Sequence, residues 1–105
     1  MSSKRLSPSV GSSPQAQREL QTHPGIGPAT AGDLIRLRIT RIEQLRGRDP
    51  LKLYRTLCRR DGVRHDPCAL DVFMALIHYA ETGEAKPWHR FTAARKSRYG
   101  ATLLP

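Results

Sequence analysis

The run CALDVFMALIHYAET, residues 68–82, constrains this chain more than any other stretch. Between Cys68 and Ala80 only Asp71 and His78 are strongly polar, so a helix here must be covered on most sides. It opens after Asp66-Pro67, a capping residue followed by one whose missing N–H suits a helix start. The expectation is a helical spine for the domain.

The same punctuation recurs upstream. Asp49-Pro50 opens a helix through about Arg60, with Leu53, Tyr54, Leu57 and Cys58 as its apolar stripe and Gly62 as its stop. In TRIEQLRG, residues 40–47, Thr40 and Glu43 have the spacing of a capping box, Ile42 and Leu45 point inward, and Gly47 ends the turn. Ala31, Leu34, Ile35 and Leu37 or Arg38 mark a helix from Pro28 to about Arg38, and a short helix over Arg18–His23 precedes it. Strand signals are absent. The fold class expected is all-α, a compact bundle of about five helices over residues 18–83.

The ends read differently. Residues 1–17 are rich in Ser, Pro and Gly and are expected to be a disordered arm. The domain is placed at 18–90 and a basic, partly disordered tail at 91–105, with Trp88, and Phe91 beside it, expected to fold back on the bundle and Trp88 to close the core. The charge is uneven. Of a net +9, residues 84–105 supply +4, from Lys86, Arg90, Arg95, Lys96 and Arg98 against Glu84. Such a balance favours anionic partners, nucleic acid first. No apolar run approaches the ~20 residues of a membrane span. Two cysteines make no disulfide framework, and no secretory segment opens the chain. The expected setting is the cytoplasm.

Residues 23–34, HPGIGPATAGDL, carry the functional signal. A dinucleotide fingerprint would need glycine at Thr30 and a strand before it; a P-loop would need Lys and Ser/Thr where Asp33 and Leu34 stand. Both fail. Leu20, His23-Pro24-Gly25-Ile26-Gly27, Ala31 and Leu34 instead resemble the helix-hairpin-helix motif, with His23 where an aliphatic residue is usual and Ala29 where a Lys or Arg often stands. That resemblance implies a phosphate held by backbone amides at the start of the second helix, without base reading. Glycines let a backbone approach an anion, and unpaired amides with the helix dipole favour it.

The resemblance extends through ITRIEQLRGRDPLKLYRTLC and DGVRHDPCALDVFMALIHYA, covering residues 18–90. This pattern is similar to that of the small bacterial "pathogenicity locus" helix-hairpin-helix family, some of whose members are labelled mitomycin resistance proteins. It implies non-sequence-specific binding of double-stranded DNA by an accessory factor in DNA repair or DNA-damage resistance. The candidate contacts are Gly25, Ile26, Gly27, Ala29 and Thr30 in the hairpin, with Arg64, Arg95, Lys96 and Arg98 as cations. GVRHDPC, residues 62–68, echoes the first hairpin as a degenerate second copy would; lacking the second glycine, its expected role is structural.

Catalysis and metal binding find little support. Cys58, His65, Cys68 and His78 lack the spacing of structural zinc sites, and Cys68 and His78 would lie about 15 Å apart along one helix. Cys68 near a helix start could be activated, with His65 close by, but no third orienting group is visible. The expectation is a non-enzyme without cofactor or metal. The competing reading is a helical adaptor whose apolar spine meets a protein partner or a second copy.

Overall fold

The computed structural model describes residues 14–100. Among them are five α-helices: α1 (Pro14–Gln21), α2 (Pro28–Arg36), α3 (Pro50–Asp61), α4 (Cys68–Thr82) and α5 (Thr92–Tyr99). Two 3-10 turns, Ile42–Leu45 and Trp88–Phe91, complete the architecture, and no strand occurs among the described residues. The all-α class and the helix number stand; the membership changes. TRIEQLRG makes one 3-10 turn, while a fifth helix lies in the tail.

The spine is α4. Asp66 Oδ1 accepts the Cys68 amide at 2.8 Å, and Gly83 closes the helix with φ 79°. Leu70, Phe73, Met74, Leu76 and Ile77 are all buried. Each side chain so removed from water contributes about 1.5–3 kcal/mol. Around α4 pack α3, both 3-10 turns and α5. The first turn is pinned to it by Arg46 Nε on the Ala80 carbonyl at 2.9 Å and the Gly47 amide on Glu81 Oε2 at 2.8 Å. That turn is capped by Gln44, not Glu43: Gln44 Oε1 accepts the amides of Thr40 at 2.7 Å and Arg41 at 2.9 Å. The turn begins one residue later than Thr40, with Arg41 as its N-cap, so the side chain three positions on that reaches back to the N-cap amide is that of Gln44.

Helix α2 ends two residues early. The Ile39 amide reaches the Leu34 carbonyl and the Arg38 amide the Ile35 carbonyl, both at 2.9 Å, with Arg38 at φ 65°. This closure normally uses glycine at the left-handed position. Arg38→Gly should therefore stabilise the domain by about 0.5–1 kcal/mol, the relief of left-handed strain less the added freedom of the unfolded chain. Denaturant titration reads it as a higher midpoint at unchanged slope; an unchanged midpoint contradicts it.

The ends depart from expectation. Helix α1 begins at Pro14, inside the segment assigned to the arm, and buries Ala16 and Leu20. Residues 92–99 of the expected tail are α5. Trp88 does not close the core: it is 43% exposed, and Phe91 and Tyr99 pack against the core instead. The expected disorder of residues 1–13 and 101–105 lies outside the described residues.

Candidate nucleic-acid interface

The hairpin joining α1 to α2 is built on local bonds. The Thr22 hydroxyl donates to the Glu19 carbonyl at 2.6 Å, the His23 amide to Leu20 at 3.1 Å, and the Ile26 amide to His23 at 3.3 Å. Ile26 is buried and Ala31 fully so, which seats the turn on the core and lets α1 and α2 approach closely. His23 Nδ1 lies 3.0 Å from the Tyr79 hydroxyl, with the rings edge-on, so the position's aliphatic role is replaced by a polar tether to α4.

The two glycines serve different ends. Gly25 has φ 83°, a left-handed turn residue. Gly27 is extended, at φ −95° and ψ −173°, and a Cβ there would meet nothing within 4 Å. Among the described residues nothing covers its backbone. The first bond of α2 runs from the Ala31 amide to the Gly27 carbonyl at 2.9 Å, and no side chain caps the helix. Among the described residues, the amides of Gly27, Ala29 and Thr30 and the Thr30 hydroxyl have no hydrogen-bond partner. No acidic residue stands in the first turn; Asp33 is bound to Arg36 at 2.6 Å. The helix start is an uncovered, electropositive edge.

Arg64, Arg95 and Arg98 do not gather around it. Arg95 is withdrawn altogether: Nε sits 2.7 Å from Asp71 Oδ1, with the Arg95 side chain 11% exposed and that of Asp71 fully buried. A buried carboxylate on the spine needs a countercharge, and Arg95 supplies it. Arg98 lines a hollow with Met74, Ile77, His78 and Glu81, whereas the hairpin faces Val72, Ala75, Leu76 and Tyr79. At 3.6 residues per turn these are opposite sides of α4. Arg64 is exposed in the loop after α3, which is tied through Asp61 to Arg36 at the C-terminal end of α2, about 12 Å along that helix from the hairpin. Lys96 is exposed on α5. Nor does the loop repeat the first hairpin: Val63 is 55% exposed where Ile26 is buried.

What the hairpin does face was not foreseen. Pro24 and Gly25, α4 and the segment Ala85–Trp88 enclose an apolar groove of about 370 Å³, with Lys86 and Trp88 on its far wall. The sequence signal for it is KPW, an aromatic beside a cation, at a position where size alone favours the core.

The cysteines and histidines are occupied elsewhere. His65 Nε2 binds Asp61 Oδ2 at 2.7 Å and its amide donates to Cys58 Sγ at 3.4 Å; the Tyr54 hydroxyl donates to the His65 carbonyl. Hydrogen bonds from Arg36 and His65 hold the Asp61 carboxyl below the ordinary range. The hydrogen bond between Cys68 and Asp66, aided by burial, pushes the Cys68 thiol up, the reverse of nucleophile activation. His78 turns to Glu84 at 2.8 Å. No group of three or more His, Cys, Asp or Glu among the described residues could hold a metal, and no helix there is long and apolar enough to cross a membrane.

A family model described as "pathogenicity locus" matches residues 13–97. The chain belongs to the pathogenicity locus family. The matched span exceeds residues 18–90 at both ends, taking in α1 and the Asp71–Arg95 pair while stopping one residue before Arg98. The mitomycin resistance protein McrB of Streptomyces lavendulae is 41% identical over 78 residues, 74% of each chain. No solved structure matches the chain.

Proposed function

We propose that this protein is a helix-hairpin-helix DNA-binding accessory factor, acting in DNA repair or resistance to DNA damage, and not an enzyme. Its hairpin holds a phosphate of double-stranded DNA through the amides of Gly27, Ala29 and Thr30. The observation that carries the reading is the uncovered start of α2: amides without partners, an open Gly27 and no first-turn carboxylate. A phosphate oxygen satisfies such amides without reading a base. The net charge of +9 favours the approach of any nucleic acid. The name of the Streptomyces lavendulae relative supports a place in mitomycin resistance.

The test is titration with duplex DNA over a range of salt. The amides hold one phosphate; each further phosphate neutralised by an exposed Lys or Arg of this +9 chain adds about −0.9 to the slope of log K against log salt, so three to four such contacts give about −3 to −4. An affinity independent of salt, or none at low salt, would overturn the reading and leave a helical adaptor in its place.

A further inference from the structure

The groove beside the hairpin has no part in holding a duplex phosphate, yet it shares Gly25 with the hairpin and is walled by Tyr79, Lys86 and Trp88. We propose that it takes an unpaired nucleotide, the base stacked on Trp88 and the phosphate at the neighbouring hairpin. This rests on the hairpin reading above and names the DNA structure preferred: a single strand, or a duplex with an unpaired base.

Three observations carry it. Trp88 is 43% exposed, and with Val63 it stands out among the large apolar side chains that the described fold leaves open to water. The groove's volume, about 370 Å³, is within the range of small-ligand sites and ample for one base. Its chemistry is two-sided as a nucleotide's is. An apolar aromatic wall adjoins Lys86, 3.9 Å from Glu84, and the partnerless amides of α2 lie just beyond Gly25. A nucleotide has a π-face for the wall and a phosphate for the rim. A fully paired base keeps its face in the stack and cannot enter.

Trp88 is the only tryptophan in the chain, so its emission reports the groove alone. The probes are a 12-nucleotide single strand, the matched duplex, and that duplex with one bulged nucleotide. Saturable quenching is expected with the single strand and the bulge but not with the matched duplex. Trp88→Ala should weaken single-strand binding by about tenfold or more and change duplex affinity by less than about twofold. Trp88→Phe should keep most of the single-strand affinity while Trp88→Leu loses it, which separates stacking from packing if the alanine variant misfolds. Unchanged emission at saturating single strand, or equal losses on both DNA forms, overturns the groove and leaves the hairpin standing. Failure of the wild-type protein to bind any DNA overturns both. Emission that varies with protein concentration without DNA assigns the groove to a second copy and overturns the nucleotide.

Discussion

Replacing Arg95 by alanine should destabilise the domain by about 3 kcal/mol and lower its melting temperature by roughly 10–20 °C. Asp71 is fully buried on the spine helix and takes three contacts from α5: Arg95 Nε at 2.7 Å, Arg95 Nη2 at 3.5 Å and the Thr92 hydroxyl at 2.7 Å. Thr92 and Arg95, one helical turn apart, share the face of α5 that meets α4. Removing the guanidinium leaves a buried carboxylate with one hydroxyl donor, which places the cost at the low end of the range for breaking a buried pair. Against a total of about 5–15 kcal/mol for a domain, that is a large share. Replacing the whole pair is a different matter. Asp71→Val with Arg95→Met removes both charges and keeps apolar volume, so it should recover most of the loss. Thermal denaturation by circular dichroism decides it: a single variant melting within about 2 °C of wild type would show the pair to be dispensable.

The pair also changes what the basic C-terminal segment can be asked. A truncation before Thr92 removes both partners of Asp71 and would confuse unfolding with lost DNA contact. Lys96 and Arg98 can be neutralised without touching Asp71. Of the cations in that segment, Arg95 is the one whose charge is spent inside the protein.

The elements that local chemistry dictates were legible in the sequence. Asp49-Pro50 and Asp66-Pro67 start helices as capping requires, with Asp49 Oδ1 on the Leu51 amide at 3.0 Å, and Gly62 and Gly83 end them. The hairpin was legible too, because a left-handed Gly25 and a buried Ile26 are short-range demands. What escaped was long-range. Asp71 looked like an interruption in an apolar helix, and its partner stands 24 residues away. With 18 Lys and Arg in the chain, a buried carboxylate announces that it needs a cation without saying which. For the same reason α5 read as a polar tail: the contact that folds it is ionic and distant, leaving little hydrophobic pattern. Of the two aromatics expected to fold back on the bundle, Phe91 does and Trp88 does not, since a large aromatic is more often interior and nothing local shows which of the two the core takes.

The two hairpin glycines separate folding from the proposed binding. Gly27→Val should leave the helical spectrum intact and cost about 1 kcal/mol, because the extended position admits a side chain without strain although valine is a poorer N-cap than glycine. Its side chain would project into space that the described residues leave empty, since a Cβ there meets nothing within 4 Å. In a phosphate complex that space belongs to the DNA backbone, so the valine should lower duplex affinity at least about tenfold. Gly25→Val behaves otherwise: at φ 83° a β-branched residue is strained, and the expected loss of stability is about 1–3 kcal/mol, with binding falling as the turn distorts. Affinity and denaturation must be measured on both variants. A folded Gly27→Val protein that binds duplex as the wild type does would remove the hairpin from the mechanism, whatever Gly25→Val does, because only the position-27 change blocks the phosphate without straining the chain.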